Sequence, residues 1–246
     1  MRIIHAADIH LGSVIDKAYR TEVRVAVRNS FLRMVEYASR ERISVILLSG
    51  DVFDSDCPSQ HDLDFFLSAV RKYPEIRFFY LRGNHDRKKE PAFSEAKNLF
   101  LFSKEWKTYD LGECSISGIE LGDMENRNLF SLSLDFSKTN IVLLHGILKD
   151  TSGKDNIPPS FLKGKGIDYL ALGHLHSFQK GNLDERGTYC YPGCLQGRGF
   201  DETGPKGFVV LDLQKGIRDI RFVPFSERRF HKVGFDVSSL PDVPSF

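Results

Sequence analysis

Residues 76–86 read IRFFYLRGNHD: an aromatic-rich apolar run closes on a glycine, an amide, an imidazole and a carboxylate. The first half suits a β-strand, because aromatic side chains pack well on a pleated, half-buried surface. The second half suits a loop. The same punctuation recurs along the chain. RIIHAA at 2–7 leads into Asp8 and His10, and SVILLS at 44–49 leads into Asp51 and Asp54. NIVLLH at 140–145 ends on His145, and IDYLAL at 167–172 leads into His174 and His176. Between the first three runs lie two segments of helical periodicity. One, near Thr21 to Arg42, places Val23, Val27, Phe31, Met34, Val35 and Ala38 on one face, and the other runs near Ser59 to Tyr73. The order βαβαβ predicts parallel neighbours in one sheet covered on both faces. Further strands are expected at CSISGIEL, TYCYP, GFVVLDL and IRDIRFVPF, with a more antiparallel second half and a turn cluster at ETGPKG, 202–207.

In open α/β sheets the loops beyond the carboxyl ends of the strands meet in one crevice. Five clusters distant in sequence therefore converge: Asp8 and His10; Asp51 and Asp54; Asn84, His85 and Asp86; His145; His174 and His176. Any single histidine or aspartate after a strand is usually a capping or hydrogen-bonded loop residue. Five coincident clusters are not. They take five of the eight histidines in the chain. His5, His61 and His231 fall outside them and read as ordinary structural histidines.

The chain has 246 residues, 41% of them hydrophobic, enough for one large α/β domain. With 34 Lys and Arg against 33 Asp and Glu, the formal charge of +1 announces no global attraction to nucleic acid or membrane. No segment approaches the ~20 apolar residues that span a bilayer, so a cytoplasmic protein with no membrane partner is expected. Cys57, Cys114, Cys190 and Cys194 form no CxxC pair and read as reduced packing residues.

Carboxylate, imidazole and amide donors without thiolate suit borderline or hard divalent ions such as manganese, iron or zinc. The donors are too many for one ion. Two ions about 3.5 to 4 Å apart clamp the attacking and leaving oxygens of an in-line phosphoryl displacement. With Asp8 and Asp51 as the anionic ligands against two dications, the centre stays net positive and favours an anionic phosphate substrate. The glycines before Asp51 and Asn84 allow sharp turns and close approach.

DIH, GDVFD, GNHD, LLHG and GHLH, in that order, resemble the five signature blocks of the calcineurin-like metallophosphoesterases. IIHAADIHLGS, the pairing of GDVFD with GNHD, and YPGCLQGRGFDETGPKGF resemble the SbcD and YhaO-like DNA-repair exonucleases within that superfamily, with the match running to about Leu240. The resemblance implies a four-layer α/β-β-α sandwich with two central mixed sheets. It assigns Asp8, His10, Asp51 and His176 to one metal and Asp51, Asn84, His145 and His174 to the other, with Asp51 bridging. His85 resembles the family's catalytic histidine, placed to stabilise the transition state or protonate the leaving oxygen. Asp54 is expected to orient His85 by a hydrogen bond, and Asp86 to be structural. Arg87, Lys88 and Arg198 are candidate contacts to the phosphate backbone.

The resemblance further implies manganese as the usual ion, with iron, zinc or magnesium as alternatives, and DNA as substrate. An SMC-like ATPase partner and a homodimer follow from the same likeness. Residues 1–225 would form the phosphoesterase domain, and 226–246 would resemble the start of a capping domain that is otherwise absent. Either a truncated chain or a capless protein fits that pattern. A phosphodiesterase for a small nucleotide or nucleotide-linked metabolite is the enzymatic alternative, and a non-catalytic scaffold the other. Serine/threonine phosphatases carry Arg-Gly after GDxxD and glutamate after GNH, where this chain has Ser55-Asp56 and Asp86.

Overall fold

The computed structural model of the chain describes residues 1–246 except 14–19, 56–57, 86–92, 94–95, 122–125, 152 and 237–246. Cys57, Asp86, Arg87 and Lys88 lie outside the described residues. In the first half, β1 (Arg2–Ala6), β2 (Val45–Ser49), β3 (Arg77–Leu81) and β4 (Leu99–Leu101) run parallel. Helices α1 (Arg20–Arg40) and α2 (Gln60–Lys72) connect the first three. At the other edge β13 (Gly207–Leu213) returns antiparallel beside β1, followed by antiparallel β14 (Ile217–Pro224). The six strands lie in the order β14-β13-β1-β2-β3-β4.

A second six-stranded sheet packs against the first. It contains β5 (Lys107–Asp110), β6 (Cys114–Gly118), β7 (Thr139–His145), β10 (Tyr169–Gly173), β11 (Gln179–Asn182) and β12 (Thr188–Tyr191), in the order β11-β12-β10-β7-β6-β5. Strands β6, β7, β10 and β12 run parallel, and only the edge strands β5 and β11 are antiparallel. Among the described residues every antiparallel pair involves strands of the second half, as expected, but the middle of this sheet is parallel. The links from β6 to β7 and from β7 to β10 are long enough to cross back over the sheet, which is what parallel pairing requires.

Alternation within single strands builds the layers. In β2, Val45 and Leu47 face the space between the sheets, where they meet Ile116, Ile141, Leu143, Tyr169 and Ala171. Ile46 and Leu48 point the other way, under Phe31, Met34 and Val35 of α1 and Phe66 and Val70 of α2. A strand buried on both faces needs an unbroken apolar run, which is why VILLS reads as it does. The predicted face of α1 is the buried one. Ser59 caps α2 by accepting the Asp62 amide at 3.2 Å, and Asp62 in turn binds Arg28 of α1 at 2.6 Å. The outer face of the second sheet, with Val142, Leu144, Leu170 and Leu172, is covered by Leu129, Leu132, Ile157 and Leu162. Among the described residues that layer consists of loops, a short pair β8 (Ile147–Leu148) and β9 (Asn156–Ile157), and 3-10 turns at Asn126–Ser131 and Pro159–Phe161. The fold is thus α/β with two central mixed sheets.

Cys114, Cys190 and Cys194 are free and buried. His5 is buried between the sheets with Nδ1 2.9 Å from the Tyr169 hydroxyl, and burial pushes its pKa down to about 3. Among the described residues no helix is long and apolar enough to cross a membrane.

Phe66 is fully buried, with ring centroids of Phe31, Phe53, Tyr80 and Phe93 at 5.7, 5.6, 5.9 and 6.0 Å. Phe66→Ala is expected to cost about 3–5 kcal/mol of stability in denaturant unfolding. A loss below about 1 kcal/mol would mean that α2 does not anchor the sheet through this ring.

Candidate metal centre

The carboxyl ends of β1 and β2 continue past the sheet as two laced loops. Asp8 donates its amide to Gly50 O at 3.1 Å, His10 to Asp51 O at 3.0 Å, and Leu11 to Val52 O at 2.8 Å. Among the described residues, four of the six non-glycine positions with left-handed φ sit here: Asp8 at 51°, His10 at 53°, Asp51 at 50° and His174 at 103°. That conformation costs roughly 1–2 kcal/mol per residue and persists where surrounding contacts over-determine it. Glycine is needed at closest approach. A Cβ on Gly83 would lie 2.1 Å from Asp51 Oδ1, and one on Gly50, whose φ is +89°, would lie 2.2 Å from His145 Nδ1.

These turns bring the sequence-distant clusters together. Donor atoms of Asp8, His10 and His176 lie within 4.8 Å of one another, as do those of Asp8, Asp51 and His145. Asn84 Oδ1 stands 2.9 Å from His145 Nε2 and 3.1 Å from His174 Nδ1, and Asp51 Oδ2 stands 3.4 Å from His145 Nε2. All seven positions read as ligands therefore face one centre. Asp8 is common to both carboxylate-containing groups, whereas the family resemblance gives the bridging place to Asp51.

The ring tautomers test whether a cation fits. His145 Nδ1 donates to Ser49 O at 2.9 Å, since a carbonyl oxygen only accepts. His176 Nδ1 faces Glu202 Oε1 at 2.6 Å, and His10 Nδ1 lies 2.9 Å from Asp54 Oδ1. In a neutral ring, a proton on the outer nitrogen leaves the inner Nε2 atom with a lone pair, and this is the arrangement that the outer contacts of His10 and His176 favour. His10 Nε2 and His176 Nε2 then face each other at 3.2 Å. Two lone pairs so close favour a cation between them. Four imidazoles, two carboxylates and an amide oxygen fit a borderline or hard divalent ion.

The electrostatics agree. Burial pushes the Asp8 carboxyl up to about 7, with the neighbouring Asp51 charge adding to the shift. Burial would lower His145, but the hydrogen bond and charge of Asp51 hold it up to about 9. Burial likewise opposes ionisation of Asp51, yet the His145 contact keeps it below the usual carboxylate range. The pocket traps a proton where a dication would sit.

The remaining site residues divide. His85 is exposed, its amide donates to Asp51 Oδ1 at 3.0 Å, and its ring stands edge-on to His10 with centroids 5.3 Å apart. The Asp54 carboxylate has Oδ1 2.9 Å from both His10 Nδ1 and Arg198 Nη1. Arg198 is the neighbour on the other side of Asp54. It is turned inward, with Nη1 2.9 Å from Asp54 Oδ1 and Nη2 2.7 Å from Glu202 Oε1, so its charge is engaged by carboxylates instead of standing free for a phosphate. Glu202 and Lys206, whose Nζ donates to His176 O at 2.6 Å, were not read from the sequence. The only signal was their place in YPGCLQGRGFDETGPKGF, where both fall in a turn cluster.

The sequence profile of the calcineurin-like phosphoesterase family matches residues 1–178. The uncharacterized metallophosphoesterase YhaO of Bacillus subtilis (strain 168) is 28% identical over 260 residues, covering 97% of this chain and 64% of that protein. The DNA double-strand break repair protein Mre11 of Sulfurisphaera tokodaii is 26% identical over 262 residues, covering 97% of this chain and 66% of that protein. Mre11 of Saccharolobus solfataricus is 24% identical over 239 residues, covering 88% and 61%. The chain thus spans 61–66% of the length of these relatives. Among solved structures, TT1561 of Thermus thermophilus superposes with a TM-score of 0.59 at 12% identity, covering 90% of this chain and 98% of that one. A dimetal phosphatase from Danio rerio gives 0.59 at 10% identity, covering 92% and 99%. At such identities the likeness shows the fold.

Gly83→Ala is expected to push Asp51 out of place and abolish tight divalent-metal binding in calorimetry while the chain stays folded by circular dichroism. Undiminished affinity would show that Asp51 does not need this approach. Metal binding is also expected to release protons, since His145 is protonated below about 9 and Asp8 below about 7. Affinity should therefore weaken as pH falls from about 9 to about 6. Titrations in buffers of different ionisation enthalpy check this, and no net proton release at neutral pH would contradict it.

Proposed function

The chain belongs to the calcineurin-like phosphoesterase family, and from that premise we propose that this metal-dependent phosphoesterase is a phosphodiester hydrolase acting on DNA, of the repair-exonuclease type. The convergence of Asp8, His10, Asp51, Asn84, His145, His174 and His176 on one centre carries the proposal. Asp8, His10 and His176 would hold one ion and Asn84, His145 and His174 the other, with Asp51 between them; manganese is the ion proposed. Bound divalent ions supply Lewis acidity at phosphoryl oxygens and an acidified water.

The chain's own residues complete the chemistry. His85 stands exposed beside the centre, its backbone pinned by Asp51, and would stabilise the pentacoordinate phosphorus and give a proton to the departing sugar oxygen. Asp8 and Asp51 contribute only two negative charges, so a loaded centre attracts a phosphate backbone. The choice of DNA rests on the Mre11 relatives, which are named for double-strand break repair. Residues 1–225 would supply this activity and 226–246 would lead towards a cap. An SMC-like ATPase and a second copy of the chain are the proposed partners, and the cytoplasm the proposed compartment.

The test is manganese with end-labelled linear DNA, beside His85→Ala. Wild type is expected to shorten the label, and His85→Ala to keep its metals while losing roughly 10²- to 10⁴-fold in rate. Hydrolysis of a chromogenic phosphodiester with DNA left intact would replace DNA by a small nucleotide diester. Two bound ions with neither substrate cleaved would sink catalysis and leave a scaffold.

A further inference from the structure

Arg198 and Glu202 are almost fully buried yet charged, with side chains 12% and 7% exposed. Buried ion pairs add little net stability, because desolvation offsets much of the attraction. Their placement suggests another use. Glu202 Oε1 accepts from His176 Nδ1 at 2.6 Å and from Arg198 Nη2 at 2.7 Å. Those two nitrogens are 3.2 Å apart, and with the Nδ1 proton directed at Glu202 both donate to the same carboxylate oxygen. Arg198 then reaches across with Nη1 to Asp54 Oδ1 at 2.9 Å, and the same oxygen lies 2.9 Å from His10 Nδ1. The Glu202 Oε2 atom accepts the Arg198 amide at 2.7 Å, which closes the loop on itself. His10 and His176, separated by 166 residues, are thus held from behind by one carboxylate–guanidinium–carboxylate bridge.

The other half of the centre is anchored differently. His145 Nδ1 rests on the Ser49 backbone carbonyl, and His145 and His174 share the neutral Asn84 amide. Carboxylates behind an imidazole fix its tautomer and raise its basicity as a ligand more than a carbonyl does. The two halves therefore have separable supports.

We propose that Glu202 and Arg198 are positioning residues for one half of the centre. Through the Asp54–Arg198–Glu202 bridge they aim His10 Nε2 and His176 Nε2 at a shared cation and set the affinity for that ion alone. This rests on the metal-centre reading above. As a basic residue near the site Arg198 was a candidate phosphate contact; in this proposal its task is inside the protein.

Calorimetric titration of the full chain with manganese tests it, without any turnover. Wild type is expected to bind two ions. Glu202→Gln, which keeps volume and an acceptor oxygen but not the charge, should weaken one binding step about 10- to 100-fold and leave the other unchanged. Glu202→Ala should do at least as much, and Glu202→Asp should recover part of the loss. His10→Ala should remove the same step, with Glu202→Gln adding no further loss in that background, while His145→Ala should remove the other. Should Glu202→Ala lower the melting temperature of the metal-free chain, Glu202→Gln carries the comparison. Equal weakening of both steps, no weakening, or additivity with His10→Ala would overturn the proposal. Fewer than two ions on wild type would instead bring down the metal-centre reading, and this inference with it.

Discussion

Asp8 receives the His174 amide on both carboxylate oxygens, at 3.0 Å each. This contact joins the end of β1, inside the first sheet, to the end of β10, inside the second. The two strands are far apart in the chain and share no hydrogen-bonded ladder. Their register across the interface depends on the apolar layer beneath, where Ile3, Val45, Leu47, Ile141, Leu143, Tyr169 and Ala171 interdigitate. Close-packed interiors do not slide by fractions of an ångström without opening voids. The apolar layer therefore fixes the spacing of the strand ends, and Asp8 converts that spacing into a site. Gly173 shows how tight the fit is, since a Cβ there would lie 1.9 Å from Ser49 O across the two sheets.

The site concentrates what folding disfavours. Buried carboxylates, buried imidazoles and left-handed backbone at Asp8, His10, Asp51 and His174 all occur within one small volume. Each is tolerated because another opposes it: Asp51 keeps His145 charged, and His145 keeps Asp51 ionised. Such mutual dependence is characteristic of sites whose charges await a counter-ion. The bidentate pair of Arg82 with Glu120, at 2.8 and 2.9 Å, ties the loop after β3 to the loop after β6 and steadies the approach to Asn84.

Much of this was legible in the sequence because it is written in short-range patterns. Continuous apolar runs marked the strands buried on both faces, a 3.6-residue stripe marked α1, and polar clusters after each run marked one rim. What escaped has physical reasons. The edge strands KTYD and QKGN contain little apolar surface, since only one neighbour holds each of them. Parallel pairing in the second sheet went unseen because its crossovers, among the described residues, are loops and 3-10 turns in place of α-helices. The Asp54–His10 contact had no sequence signal, because His10 and His85 have adjacent rings and no spacing rule says which one a nearby carboxylate approaches. Glu202 lies 26 residues from His176, in a segment whose composition reads as a turn.

The centre depends on the scaffold more than the scaffold depends on the centre. Small zinc domains fold only around their metal, since they have no other core. Here three apolar clusters close without any of the seven proposed ligands: one under the helices, one between the sheets and one over the outer face. The energy that holds Asp8, Asp51 and the histidines in strained, dehydrated positions comes from that apolar burial. A rigid frame can thus hold donor atoms convergent before an ion arrives, so that little reorganisation is left for the moment of binding. The same rigidity explains why the charged bridge behind His10 and His176 can be buried at all: its carboxylates are aimed by backbone that the core has already fixed.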